Sequence, residues 1–106
     1  MRLVLTSAAE KEIAEAASWY SEINADLGLR FISALTSSLE SIESQPLSFS
    51  RLETNDSARE FRRAALKRFP YSIVFEVLDD HVAVIAVAHV RRRPEHWRNR
   101  GETDTS

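Results

Sequence analysis

The side chains best suited to bind an anionic partner lie close together near the end of the chain. Five arginines occur between positions 91 and 100, beside histidine and tryptophan. Arginine guanidinium groups form paired hydrogen bonds to phosphates and carboxylates, and tryptophan or histidine rings can stack on nucleobases. The composition therefore predicts a surface that binds a cellular target. Its candidate members are His89, Arg91, Arg92, Arg93, His96 and Trp97.

A second basic run comes earlier, on a segment that we expect to lie nearby in the fold. It contains Arg59, Arg62, Arg63, Lys67 and Arg68. Arg63 and Lys67 are the candidates to widen the C-terminal patch. The alternative is that the arginines pair with helix glutamates or lie in water, while Trp97 packs over the sheet edge. For a single arginine we favour that alternative, and for the whole cluster we favour binding.

The charge distribution supports a cationic surface in the second half of the chain. The formal net charge of the protein is -2. Residues 1–58 carry 4 basic and 9 acidic side chains, whereas residues 59–100 carry 10 basic and 5 acidic ones. Such an asymmetry is typical of a chain with an anionic partner, although two complementary faces that merely balance would also produce it.

Several other chemistries lack the residues that they need. The chain has no cysteine, and His89 and His96 are seven positions apart, so no metal-ligand spacing is present. Glycine occurs only at positions 28 and 101, which excludes a glycine-rich phosphate loop. No nucleophile elbow surrounds a serine. We expect neither a metal nor a cofactor, and no catalytic residue is identified.

Length and hydropathy favour one small cytoplasmic domain. The chain has 106 residues, which suits a single core. We assign residues 1–98 to that domain and residues 99–106 to a polar, disordered tail. No apolar run reaches the roughly 20 residues of a membrane helix, and the N-terminus is too short for a signal peptide. We therefore expect no membrane partner.

The first half of the chain predicts a strand followed by a helical hairpin. The apolar run at 3–5 suggests a buried strand. Ser7 and Glu10 have the spacing of a capping box that starts a helix, whose buried stripe ends at Tyr20 with Trp19 also in the core. Glu12 falls on the polar side of this helix. Residues 24–26 offer caps for a second helix, which Pro46 ends.

The second half predicts strands. Residues 47–58 read as an exposed loop, 61–67 as a weak strand, 71–78 as a strand, and 81–90 as a central strand covered on both faces, with His81 in solvent. The fold class is α+β, with an N-terminal strand and a two-helix antiparallel hairpin packed on an antiparallel sheet of three further strands. The predicted core is Leu3, Leu5, Ile13, Tyr20, Phe31, Leu35, Leu39, Ile42, Ile73, Phe75, Val84 and Ala86.

Particular segments resemble toxins of the RelE/ParE superfamily. Residues 63–77, with the turn Phe69-Pro70-Tyr71, are similar to the middle strands of ParE-type toxins. Residues 84–89, followed by Arg-Arg-Arg-Pro at 91–94 and by Trp97, are similar to their C-terminal strand and tail. With the hairpin that ends at Pro46, the resemblance covers residues 1–98. The combination of the turn and the tail is the specific part.

The resemblance implies a toxin and a partner. A cognate antitoxin, encoded alongside, would wrap the toxin with a helix or a strand, and a hetero-oligomer of the two is one possible assembly. Members of the superfamily differ in their targets. RelE-like toxins cut mRNA on the ribosome with basic and aromatic residues, whereas ParE-like toxins poison DNA gyrase and lack that set.

The candidate residues match the nuclease pattern incompletely. Arg91 and Trp97 resemble by position the RelE-type arginine and C-terminal tyrosine, but a tryptophan has no hydroxyl for proton transfer. Ser72 stands where a further arginine is expected, and only Arg63 and Lys67 resemble the lysine-rich strand of the nucleases. An acidic protein also lacks the basic field of a ribosome-binding enzyme.

These observations predict a growth-inhibiting, ParE-like toxin with DNA gyrase as its target. One alternative is a RelE-like, ribosome-dependent mRNA endoribonuclease. The other is a non-toxic protein-binding module of the same fold. We also expect a groove beside the helical hairpin that accepts an amphipathic helix or an added strand from the antitoxin.

Overall fold

The chain runs from a strand through two helices into four further strands. The computed structural model describes residues 1–54 and 58–91. The elements are β1 (Arg2–Leu5), α1 (Ser7–Ile23), α2 (Ala25–Ser44), a 3₁₀ turn (Pro46–Ser48), β2 (Ser50–Leu52), β3 (Glu60–Ala65), β4 (Tyr71–Val77) and β5 (His81–His89).

The strands of the described residues form one mixed sheet in the order β1-β5-β4-β3-β2. β1 runs parallel to β5, and the other neighbouring pairs are antiparallel. The α+β architecture with an N-terminal strand and a helical hairpin is confirmed. Residues 60–65 are a strand, as the sequence predicted. Two features were not predicted: the edge strand β2 and the parallel direction of β1.

The first helix begins one residue earlier than the sequence suggested. Thr6, not Ser7, is the N-cap of α1, and its hydroxyl oxygen accepts a hydrogen bond from the Ala9 N–H at 3.2 Å. The Thr6 N–H donates to the Val84 carbonyl at 3.1 Å, and the Thr6 hydroxyl donates to the Ile85 carbonyl at 3.4 Å. A single buried residue therefore caps the helix and joins its start to β5.

Glu12 makes a second connection between α1 and β5, although its charge placed it on the solvent side in the sequence analysis. The side chain is buried. One carboxylate oxygen accepts a hydrogen bond from the Val87 N–H at 3.0 Å. A strand N–H that has no neighbouring strand needs such an acceptor, because a buried donor without one costs free energy.

The two helices turn sharply and approach each other closely. Asn24 is the C-cap of α1, where its N–H donates to Tyr20, and also the N-cap of α2, where its side chain accepts from Asp26. A Cβ atom on Gly28 would lie 2.0 Å from Ser21 Oγ and 3.1 Å from Ser21 Cα. A residue with a Cβ atom at position 28 would force Ser21 to move. As predicted, α2 ends before Pro46.

The main core lies between the hairpin and the sheet. Seven of the predicted core residues are buried in it: Tyr20, Phe31, Leu35, Ile42, Ile73, Phe75 and Val84. Leu3, Leu5, Ile13 and Leu39 are half-buried and pack against this cluster.

Ala86 is buried, but in a different cluster from the one that was predicted. The register between β4 and β5 shifts at Val74 and Phe75, which pair with Ala86 and Val84. Ile85 is therefore the extra residue of a β-bulge. The bulge moves Ala86 to the second cluster, with Phe61, Val74, Ala83 and Ile85. β5 is buried on both faces from His81 to Ala88, which confirms its prediction as a central strand.

One prediction of secondary structure and one of exposure are wrong. Residues 47–58 were expected to be a loop, yet Ser50–Leu52 pair with β3, with Ser50 opposite Arg63. Three residues are too few for an alternating pattern to reveal a strand. His81 was expected in solvent but is buried next to β1, and its Nδ1 lies 2.6 Å from Asp80 Oδ1. This hydrogen bond lowers the pKa of the Asp80 carboxyl group.

Removing the Glu12 carboxylate tests the link between helix and sheet. We expect Glu12→Ala to lower the free energy of unfolding by about 1–3 kcal/mol, because the buried Val87 N–H loses its acceptor. Glu12→Gln keeps an oxygen acceptor and should lose less. Glu15, which is exposed on the same helix, supplies the control variant Glu15→Ala. Urea denaturation measures all three, and equal stabilities of the two alanine variants would contradict the assigned role of Glu12.

Candidate functional site

The end of β5 is fastened to the turn between β3 and β4. The Val90 N–H donates to the Pro70 carbonyl at 2.9 Å, and His89 pairs with Tyr71 across the sheet. We call residues 67–70 the basic turn, because they read Lys-Arg-Phe-Pro. Through these contacts His89 and Arg91 are held at the same end of the sheet as the basic turn.

The backbone of the basic turn is tightly bent and includes one unfavourable conformation. The Leu66 N–H donates to the Tyr71 carbonyl at 2.9 Å and closes the turn, while the Tyr71 N–H donates to the Phe69 carbonyl at 2.8 Å. Arg68 has a φ of 69°, in the left-handed region. That conformation costs a residue with a Cβ atom about 1–2 kcal/mol.

Aromatic packing holds the basic turn against the helices. The Phe69 ring centroid lies 5.0 Å from that of Tyr20 and 5.4 Å from that of Phe31, both edge to face. Tyr71 contacts the same two rings. Burial and the neighbouring Tyr71 raise the pKa of the Tyr20 hydroxyl, so Tyr20 stays neutral. The turn is therefore fixed by core residues rather than left free.

An aromatic cleft of about 430 Å³ opens on one side of the basic turn. It is lined by Trp19, Tyr20, Pro70, Tyr71 and His89. Trp19 is 57% exposed, so its prediction as a core residue is wrong, whereas Tyr20 is buried as predicted. The His89 ring lies edge to face with Tyr71 at 5.4 Å, and its Nδ1 accepts a hydrogen bond from the Arg91 N–H at 3.1 Å. The cleft offers ring surfaces for stacking, next to the backbone of Arg91.

A cationic groove of about 640 Å³ opens on the other side of the basic turn, against α2. No carboxylate lines it. Its lining consists of the cations Arg30, Lys67 and Arg68, the serines Ser33, Ser37, Ser38 and Ser41, and the apolar residues Leu27, Ala34, Phe49, Ala65 and Phe69. Arg30 also pairs with Asp26 at 2.8 Å, and both side chains are exposed. A groove beside the hairpin was predicted, but its cationic rim was not.

Ion pairs neutralise two arginines of the second basic run. Arg59 forms two hydrogen bonds to Glu76, at 2.8 and 2.9 Å, and its guanidinium lies 4.6 Å from the Phe61 ring centre. Arg62 pairs with Glu60 at 2.7 Å and also donates to the carbonyl groups of residues 47 and 49. These two side chains stabilise the sheet, but their partners are glutamates of β3 and β4 and not the helix glutamates of the alternative interpretation.

The structure brings some predicted site residues together and separates another. His89, Arg91 and Lys67 lie at the basic-turn end of the sheet. Arg63 is exposed on β3 but alternates with the buried Ala64, so it lies on the sheet face away from the helices. Arg92, Arg93, His96 and Trp97 fall outside the described residues.

Sequence reasoning missed three residues that line the two openings: Trp19, Arg30 and Arg68. Trp19 was assigned to the core because it adjoins Tyr20, but a step of one residue rotates a side chain by about 100° around a helix. Arg68 was included in the second basic run, but the sequence analysis predicted no role of its own for it. Nothing in the sequence pairs Arg30 with the basic turn, because their proximity depends on the tertiary fold.

Residues 1–54 and 58–91 contain no cluster of three histidine or acidic side chains that could hold a metal ion. Among these residues, no helix has the length and apolar character required to cross a membrane.

Comparison with known proteins gives consistent results. A family model described as ParE toxin of type II toxin-antitoxin system, parDE, matches residues 3–95. A solved structure titled "Chromosomal ParDE TA system from P. aeruginosa" superposes with a TM-score of 0.70 at 14% sequence identity, covering 84% of this chain and 95% of the other. At that identity the likeness establishes the fold. A search of curated protein sequences finds no match.

Replacing the strained arginine tests whether Arg68 serves the stability of the basic turn. Glycine adopts a left-handed φ without steric cost, although it increases the entropy of the unfolded chain. We therefore expect Arg68→Gly to retain the free energy of unfolding or to raise it by up to about 1 kcal/mol. Thermal denaturation measures the effect. A clear loss of stability would mean that the arginine side chain supports the fold.

Proposed function

The chain belongs to the ParE toxin family of type II toxin–antitoxin systems, and we propose that it arrests growth by inhibiting DNA gyrase. Its role as the toxin of such a pair follows from the family. The proposal concerns the target and the partner: gyrase in the cytoplasm, and a cognate antitoxin that neutralises the toxin in a hetero-oligomeric complex.

The ion pairing of the basic side chains is the observation that favours gyrase over ribosome-bound mRNA. Arg59 and Arg62 are neutralised by glutamates. Ser72, at the position where the nuclease pattern has an arginine, is buried and uncharged. An enzyme that binds the ribosome depends on a strong basic field, because phosphate contacts supply much of its affinity. The ion pairs of Arg59 and Arg62 weaken that field in the described part of the chain.

We propose that the target-binding surface is centred on the end of β5. His89, Arg91 and Lys67 all belong to segments at the basic-turn end of the sheet. Lys67 and Arg91 are exposed, and neither forms an ion pair with another residue in the described ranges. Arg92, Arg93, His96 and Trp97 follow directly in the sequence and would extend this surface, whereas Arg63 would widen it only around the sheet edge.

The second candidate function is a RelE-like, ribosome-dependent mRNA endoribonuclease. The aromatic cleft favours it, because its exposed Trp19 could stack on a base close to the imidazole of His89. The third is a non-toxic protein-binding module, which would use the same surfaces without harming the cell. Both remain alternatives that activity measurements separate from the proposal.

Direct comparison of the two target assays tests the proposed function. We expect the purified protein to inhibit DNA supercoiling by gyrase and to leave ribosome-bound mRNA uncut. Cleavage of mRNA with normal supercoiling would replace the proposal with the nuclease. If neither activity is present and expression of the chain does not slow growth, the chain is a binding module.

Neutralising two exposed cations tests the target-binding surface. A charge-assisted hydrogen bond contributes about 1.5–3 kcal/mol, so we expect Lys67→Gln combined with Arg91→Gln to abolish growth arrest. Lys11→Gln on the exposed face of α1 serves as the control and should remain toxic. Circular dichroism and thermal denaturation establish that each variant folds. A folded double variant that still arrests growth would place the target site elsewhere on the protein.

A further inference from the structure

We propose that the cationic groove binds a nucleotide that carries two or more phosphates, with the phosphates at the basic turn and the base on the groove floor. The inference does not depend on the proposed target, because it uses only the shape and chemistry of the groove. The volume of about 640 Å³ is within the range of about 300–1,000 Å³ for small-molecule sites. Because the chain has no glycine-rich phosphate loop, side chains must hold the phosphates.

The charged side chains of the groove gather at one end. They are Arg30, Lys67 and Arg68. Phe31, which follows Arg30, contacts Phe69 of the basic turn with 5.4 Å between the ring centroids, so Arg30 and the basic turn are neighbours. Among the described residues, no carboxylate lines the groove. A chain of phosphates would supply the counter-charge through charge-assisted hydrogen bonds.

These three cations are available to a ligand. Lys67 and Arg68 are exposed and form no ion pair within the described part of the chain. Arg30 pairs with Asp26 at 2.8 Å, but the two side chains are 71% and 64% exposed. An ion pair that is surrounded by water contributes little to stability. Arg30 can therefore turn from Asp26 to a bound phosphate at small cost.

The opposite end of the groove is uncharged. Ser41 lies eleven residues after Arg30 on α2, which corresponds to about 16 Å along the helix axis. Phe49 belongs to this end, because it directly precedes β2, whose first residue pairs with Arg63 and not with the basic turn. A nucleotide has its charge at one end and its base at the other, so it matches this polarity. A nucleic-acid strand carries a charge at every nucleotide and would place phosphates against the uncharged end.

The floor of the groove offers ring surfaces to a base. Phe49 and Phe69 both line the groove and are half-buried, so part of each ring remains open to a ligand. The rest of each ring is held by the core, since Phe69 packs edge to face on Phe31, and Phe49 packs edge to face on Phe75 at 5.9 Å. Bases of every kind stack on aromatic rings. We therefore expect the site to select nucleotides by their phosphates more than by their bases.

A row of serines forms the wall along α2. Ser33, Ser37 and Ser41 lie four residues apart, on successive turns of the helix. The hydroxyls of Ser33 and Ser37 form no hydrogen bond within the described part of the protein. They can therefore bond to the hydroxyls of a ribose or to phosphate oxygens. Because serine is neutral, this wall adds polar contacts without repelling the phosphates.

The backbone of Arg68 is strained in a way that is typical of binding sites. Its left-handed φ of 69° is a conformation that glycine adopts more readily. Such strain concentrates where a side chain is needed at a fixed place. Here the side chain supplies a cation at the rim of the groove, at the end where the phosphates would lie.

Calorimetric titration of ATP into the purified protein tests the site. We expect one ATP to bind per chain, and the double variant Arg30→Gln/Arg68→Gly to bind it at least about tenfold more weakly, because two charge contacts are lost. Lys11→Gln removes an exposed cation from α1 and should bind normally. Circular dichroism establishes that each variant folds. If the double variant does not fold, Arg30→Gln alone replaces it, since glutamine is a good helix former, and should bind about fivefold more weakly.

The outcomes of the titration separate the possible ligands. If ATP does not bind, or if it binds the folded arginine variants as tightly as the unmodified protein, the proposal is overturned. Adenosine and inorganic triphosphate should each bind more weakly than ATP, because each makes only part of the contacts. Triphosphate that binds as tightly as ATP would overturn the placement of the base. A single-stranded oligonucleotide that binds more tightly than ATP and competes with it would make the groove a nucleic-acid site instead.

A carboxylate introduced into the wall provides an independent test with a matched control. Ser37→Glu places a negative charge in the groove, and we expect it to weaken ATP binding about tenfold or more through repulsion of the phosphates. Thr36→Glu makes the same charge change at an exposed position of the same helix that does not line the groove. This control should bind ATP nearly as well as the unmodified protein. Equal affinities of the two glutamate variants would overturn the assignment of the groove.

Discussion

The position of the helical hairpin depends on which groups hydrogen-bond the edge of β5 beyond the end of β1. β1 pairs with β5 only as far as Val84. Past that point the Thr6 hydroxyl bonds to the Ile85 carbonyl and the Glu12 carboxylate accepts from the Val87 N–H. Thr6 is the N-cap of α1, and Glu12 lies in its second turn. The backbone groups of β5 that these side chains bond therefore determine where α1 begins and how it crosses the sheet. The position of α2, and with it one wall of the cationic groove, follows from that crossing.

The sequence predicted the helices, the last three strands and most of the core, because burial on one face leaves a period that local composition reveals. It failed where the determining partner is distant or irregular. Glu12 looks like a solvent residue until the strand N–H that it serves, 75 positions away, is known. Ala86 follows the alternation of Val84 only if no bulge intervenes, and Ile85 supplies one. Neither the hydrogen bond of Glu12 nor the bulge at Ile85 can be recognised from the sequence pattern of α1 or β5 alone.

The sequence predicted which residue types form the candidate site, but not which of their charged groups are already paired within the protein. Arg62 and Glu60 are two apart on one strand, so their pairing is in principle visible in the sequence. The pair of Arg59 and Glu76 depends on the register between β3 and β4, which places Glu60 opposite Val77. A count of basic residues therefore overstates the charge that a partner meets. The tertiary fold withdraws two arginines, and it brings Arg30, which the count had placed in the acidic half and which pairs with Asp26, to the lining of the groove.

The basic turn contributes residues to both the cationic groove and the aromatic cleft. On one side it forms the rim of the cationic groove through Arg68, and on the other it anchors the end of β5 through Pro70 and Val90. Phe69 packs on Tyr20 and Phe31, so the turn cannot readily shift to serve one surface at a time. Lys67 lines the groove and also belongs to the proposed target-binding surface, so one firmly packed turn supplies cations to both.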